Sequence, residues 1–185
     1  MKKIGIVTDS HSSISQEEAE KLGIFVLPMP FYIDGECYYE SVTLSRELFF
    51  EKLAAGADIT TSQPSPTAVM EIWDKALEQF EKILYMPISS GLSGSYETAM
   101  MLAKDEAYEG RVLVVDDGQV AAPLHQMVLD TLDMIEKGYE AEQIRDLLER
   151  AGDRMMIYIA LQTLEFLKKG GRVTPAAAAL GSVFN

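Results

Sequence analysis

The chain alternates between short apolar runs and longer stretches where apolar residues return every three or four positions. A short run bounded by turn residues suits a strand covered on both faces. The longer pattern suits an amphipathic helix with one stripe turned to the core. "KIGIVTDS" reads as a buried strand ending in a polar loop. "SISQEEAEKLG" reads as a helix, with Ser15 and Glu18 spaced as a capping box and Gly23 as the stop. "IFVLPMPFYI" predicts a strand that Pro28 and Pro30 confine to an edge or a bend. Asp34-Gly35 marks a hairpin. "SRELFFEKLAAG" predicts a helix stopped by Gly56. "PTAVMEIWDKALEQF" predicts another, with Ser65 as N-cap and Pro66 at the first helical position.

The alternation continues through the strand "KILYMPIS", the helix "YETAMMLAKDEA" and the strand "RVLVVDD". Two helices follow, "QVAAPLHQMVLDTLDMIEKG", with Pro123 near its start, and "AEQIRDLLERAG". "MMIYIAL" predicts a further strand, and "LEFLKKGGR" a short helix closing on a glycine pair. Strands alternating with helices give an α/β fold with a mostly parallel sheet and helices on both faces. The polar "RAGDR" places a boundary after residue 152. Residues 1–152 are expected to form an N-terminal α/β domain, and 153–185 the truncated beginning of a second α/β domain. The closing "TPAAAALGSVFN" starts a helix with no strand after it.

Composition narrows the function classes. The chain has 185 residues, 48% of them hydrophobic and 24% charged, as in globular proteins. A net charge of −13 repels phosphate backbones and argues against nucleic acid as a partner. Cys37 is the single cysteine, which leaves no disulfide, no zinc cluster and the reading of a packing residue in a cytoplasmic protein. The opening apolar run is too short for a signal peptide, and no apolar run is long enough for a transmembrane helix.

The polar loops carry the candidate chemistry. "PISSGLSGSYETA", residues 87–99, joins a strand to a helix. Read as a nucleophile elbow, it makes Ser93 a nucleophile, with Asp116, Asp117 and His125 following in α/β-hydrolase order and His11 as a second possible base. Read as an anion site, Gly91 and Gly94 free the backbone, and the helix beyond presents its N–H groups. No lysine completes a P-loop and no G-x-G-x-x-G is present, so a nucleotide or other cofactor finds little support. A plain serine-capped turn is the bland alternative. "DITTSQPSPTA", residues 58–68, is a second polar loop, with Thr60, Thr61, Ser62 and Ser65. Loops after parallel strands gather at one sheet edge, so residues 8–13, 60–65 and 89–95 are placed to converge. A ring of hydroxyls and amides with no base and no metal ligand binds an anion rather than transforming it. Met70, Met86, Met100, Met101, Met127 and Met134 either line a pocket for a flexible chain or pack the core. Arg172 in "KKGGR" offers a bidentate contact to an anion or a partner.

Four blocks together resemble the DegV family: "IVTDS", "TTSQPS", "SSGLSGSYETA" and "LEFLKKGGRVTPAAAALGSVFN". They span the whole chain in family order. The resemblance implies a two-domain α/β protein that is not itself an enzyme. It would hold one long-chain fatty acid, the acyl tail buried and the carboxylate at the domain junction. It also implies a partner, the catalytic subunit of a fatty acid kinase, to which the lipid is presented. By motif match, Thr61 and Ser93 would hydrogen-bond the carboxylate, with Ser62 and the Gly94 backbone beside them. Arg172 would match the arginine that docks the kinase.

Overall fold

The structure, a computed structural model, describes residues 2–40, 42–160 and 163–173. Its strands are β1 (Lys2–Asp9), β2 (Phe25–Leu27), β3 (Pro30–Ile33), β4 (Glu36–Tyr39), β5 (Ile59–Thr61), β6 (Phe80–Met86) and β7 (Val112–Val114). Its helices are α1 (Gln16–Leu22), α2 (Arg46–Ala54), α3 (Pro66–Leu77), α4 (Ser95–Leu102), α5 (Ala122–Glu136), α6 (Ala141–Gly152) and α7 (Glu165–Lys169), with a 3-10 turn over Ser10–Ser12.

Four strands form a parallel sheet in the order β2-β1-β6-β7. Alternate residues of β1 and β6 feed opposite cores, as a period of two requires. Ile4, Ile6, Leu84 and Met86 pack with Ala19 of α1, Leu124 of α5 and Ile144 of α6. Val7, Ile83 and Tyr85 pack with Val69 and Trp73 of α3 and Ala99 of α4. Helices thus cover both faces, and the two central strands are apolar on both. Gly5 has a packing reason, since a Cβ there would lie 2.6 Å from the Phe80 ring.

A second, three-stranded antiparallel sheet runs in the order β4-β3-β5. Asp34 and Gly35 turn its hairpin with φ of 51° and 86°, the pair of positive angles that type I′ turns need.

Four expectations change. "IFVLPMPFYI" is two strands in two sheets, parallel β2 and antiparallel β3, separated around Pro28, which has no N–H to continue a ladder. Thr60 and Thr61, read as loop, close the second sheet through register with Tyr32 and Phe31. Cys37, read as a packing residue, is exposed on the outer strand β4. Residues 155–160 of "MMIYIAL" form no strand; no neighbouring strand among the described residues pairs with them, and Met156 and Tyr158 are 75% and 88% exposed. The helix start read in "TPAAAALGSVFN" lies outside the described residues. Among the described residues, no helix is long and apolar enough to cross a membrane.

Candidate functional site

The loops after β1 and β6 and the end of β5 open into one cavity of about 830 Å³. That size falls in the range of small-molecule sites. Ser10, His11, Thr61, Ser62 and Ser93 all line it. The three loops expected to converge therefore do so.

The β6–α4 loop is wound tightly: the N–H groups of Leu92 and Ser93 both donate to Ser89 O, at 3.0 and 3.2 Å. This turn sets the half-buried Ser93 beside the helix start. Ser93 Oγ lies 2.8 Å from Ser95 Oγ and accepts from Ser95 N–H at 3.3 Å. Gly94 is the N-cap of α4 and supplies no side-chain cap, which leaves first-turn N–H groups for another acceptor. A Cβ on Gly94 would come within 3.0 Å of Gln63 Oε1, so the glycine permits close approach of the two polar loops. Thr98 Oγ1 donates to the same Gln63 oxygen at 3.4 Å. Gln63 is a bridge that sequence reading passed over; its one signal is an amide inside a run of hydroxyls. Thr61 and Ser62 are exposed at the rim, held by the Thr61–Phe31 register and by Ser62 N–H donating to Pro30 O at 3.5 Å.

Beneath these hydroxyls lie buried acids. Asp9 is fully buried at the end of β1. It accepts from Ile88 N–H at 2.8 Å and His11 N–H at 2.9 Å, tying the first loop to the β6 loop. Asp117 is also buried, and Gln119 N–H donates to its Oδ1 at 2.9 Å. Burial, reinforced by the charges of Asp116 and Asp9, pushes the Asp117 carboxyl up to about 7. Gln119 O in turn accepts from Ser89 N–H at 3.0 Å, so this cluster underlies the turn that carries Ser93.

The opposite wall is apolar. Phe31, Phe49 and Phe50 form an edge-to-face series with centroid distances of 5.5 and 5.4 Å. Phe49 and Phe50 line the cavity from α2, a helix with no buried residue. Phe166 and Leu167 of α7 add to the wall. Arg172 closes it, its Nε donating to Leu92 O at 3.1 Å, while Lys169 pairs with Asp58. The six methionines singled out in the sequence do not line this cavity. Met86 and Met127 are core, Met70 and Met134 flank it, and Met100 and Met101 are surface residues.

The alternative bases are engaged elsewhere. His11 Nδ1 lies 3.2 Å from Asp9 Oδ1, and His125 Nε2 lies 3.2 Å from Glu18 Oε1. Asp116 Oδ1 accepts from Ser90 and Gly118 N–H, at 3.3 and 3.2 Å. Ser93 therefore meets a hydroxyl, not the base a serine nucleophile needs. Among the described residues, no group of three or more His, Cys, Asp or Glu could hold a metal ion.

A family model described as "Uncharacterised protein, DegV family" matches residues 3–185. The chain belongs to the DegV family. A DegV domain-containing protein of Caldanaerobacter subterraneus is 31% identical over 185 residues, which is 100% of this chain and 66% of that protein. A Thermus thermophilus structure described as fatty acid binding of a DegV family protein is 35% identical, with a TM-score of 0.87 over 99% of this chain and 65% of its own. A stearic acid-binding protein from Eubacterium ventriosum is 27% identical, with a TM-score of 0.78 over 98% of this chain and 64% of its own. This DegV chain thus spans just under two thirds of the length of these relatives.

Proposed function

We propose that this DegV chain binds one long-chain fatty acid and presents its carboxylate to the catalytic subunit of a fatty acid kinase. The carrying observation is the 830 Å³ cavity with hydroxyl loops at one end and an aromatic wall at the other. Thr61 donates to the carboxylate from the rim, and Ser62 lies beside it, reaching the carboxylate once its hydroxyl turns from Gln63 O, to which it donates at 3.0 Å. Ser93 Oγ and the Gly94 backbone donate from the helix start, where the dipole of α4 favours an anion. Each hydrogen bond to a charged acceptor contributes about 1.5–3 kcal/mol against competing water. The acyl chain contributes more, about 0.8 kcal/mol per buried CH₂. Fatty acid binding by the Thermus thermophilus DegV family protein and stearic acid binding by the Eubacterium ventriosum protein support the ligand class. Arg172, exposed beside the Ser93 loop, is the partner contact, and the chain performs no catalysis itself. Residues 1–152 form the α/β domain of this reading and 153–185 begin the second.

The test is mass spectrometry of an organic extract from the purified chain, followed by fatty acid titration of Thr61→Ala with Ser93→Ala. About one fatty acid per chain is expected. The double variant is expected to lose at least tenfold in affinity while keeping its fold. A lipid-free extract together with no binding on titration would overturn the reading, and unchanged affinity in the variant would remove the carboxylate assignment.

A further inference from the structure

His11 stands where the site's hydroxyls meet its buried acids. The 3-10 turn holds it against the cavity beside Ser10 and Ser13, its side chain 37% exposed. Both ends of the residue are fixed from the interior. Its N–H donates to Asp9 Oδ1 at 2.9 Å, and its carbonyl accepts from Ala121 N–H at 2.7 Å. The ring is fixed as well, with Nδ1 lying 3.2 Å from the same Asp9 oxygen. A carboxylate only accepts, so Nδ1 carries the proton and Nε2 is the nitrogen left for a ligand. Asp9 is held in turn by Ile88 N–H at 2.8 Å on its other oxygen. A buried carboxylate bracing a half-exposed imidazole is the arrangement that orients a histidine toward a ligand. Neither the hydroxyl ring nor the aromatic wall uses it.

We infer that His11 is a further carboxylate-binding residue of the cavity: when a fatty acid anion enters, Nε2 takes up one proton from solvent and donates it in a hydrogen bond to the carboxylate. This rests on the fatty-acid reading above. The one bond formed is Nε2–H, its proton released from an O–H of hydronium in solvent; the imidazole becomes an imidazolium between two carboxylates, Asp9 behind and the ligand in front. The charged partner of the ring is Asp9 on β1, in contact with Nδ1. Glu40, Arg46 and Arg172 line the same cavity, and Asp117 on the loop after β7, its carboxyl raised to about 7, is uncharged at lower pH. His125 on α5, the helix packed against the turn, is occupied by Glu18. The ligand adds the negative charge that shifts the balance. Binding is strengthened below the pH at which the loaded imidazole titrates and is weakened as pH rises through it.

The experiment follows the ring Cε1–H resonances of the full chain by NMR from pH 5 to pH 9, with and without one equivalent of oleate. The His11 midpoint is expected to move up by about one pH unit on loading, a tenfold effect, while His125 stays in place as an internal control. In parallel, the ratio of wild-type to His11→Gln affinity for oleate is expected to fall about tenfold between pH 6 and pH 8, a ratio that cancels the titration of the lipid itself. A His11 midpoint that does not move although oleate binds overturns the inference and leaves the fatty-acid reading standing. Failure to bind oleate at any pH overturns the fatty-acid reading and this inference with it. The wild-type NMR titration decides the matter even if His11→Gln does not fold.

Discussion

Replacing Asp117 with asparagine should make the protein more stable at pH 8 and leave it unchanged near pH 3. Asp117 is 1% exposed, and its Oδ2 has no hydrogen-bond partner among the described residues. Gln119 Oε1 is buried in the same condition. Two unpartnered buried acceptors two residues apart in sequence call for a donor, which a protonated carboxyl supplies and an ionised one does not. Burial and the charges of Asp116 and Asp9 therefore raise the carboxyl from 3.8 to about 7. The folded state holds a proton that the unfolded chain releases. Stability is thus fully present below about pH 4 and falls as pH rises toward 7. At about 1.4 kcal/mol per pH unit, that interval sets a ceiling of about 4 kcal/mol. The asparagine amide keeps the shape, still accepts from Gln119 N–H, and offers an N–H₂ where the proton stood. Urea denaturation of both proteins from pH 3 to pH 8 is the assay. Groups remote from Asp117 titrate alike in the two, so the difference between the curves isolates this carboxyl together with its coupling to Asp116 and Asp9. It should open between pH 4 and pH 7 to about 2–4 kcal/mol in favour of Asp117→Asn. Parallel curves, or a less stable variant at pH 8, would refute the reasoning, because Asp117 would then be ionised and satisfied.

Two further outcomes follow from the same face of the molecule. Gly152→Ala brings a Cβ to 2.0 Å from Asp117 O, which forces α6 away from the loop and should cost about 1–3 kcal/mol; an unchanged urea midpoint would disprove that close packing. Arg172→Ala removes an exposed bond to Leu92 O worth about 1 kcal/mol, so fatty acid affinity should fall no more than about fivefold while phosphorylation by the kinase subunit is lost. Lost lipid retention with intact kinase coupling would reverse the assignment.

The sequence was most readable where local chemistry and periodicity agree. The strand of Lys2–Asp9, the Ser65-Pro66 start of α3 and the Asp34-Gly35 hairpin each depend on a few neighbouring residues. The polar loops after β1 and β6 were legible as convergent because parallel strands send their loops to one edge, whereas Thr61 and Ser62 reach the site from the end of an antiparallel strand of the second sheet. Residues whose role depends on distant partners were not legible. Thr61 is a strand residue because Phe31 pairs with it. Gln63 matters because Gly94 approaches it from another loop. Residues 155–160 have a strand's composition but no paired strand among the described residues.

By itself, the order of apolar and polar residues determined the α/β class, the two-faced central strands and the polar loops, because burial period and turn chemistry are local properties of a chain. Only the tertiary structure decided which polar groups are deprived of water. It buried Asp9 and Asp117, turned His11 against one of them, and left Ser93 facing a hydroxyl instead of a base. Charge state and hydrogen-bond partner depend on what lies within a few ångströms, and a single bond such as Ile88 N–H to Asp9 joins residues 79 positions apart in the chain.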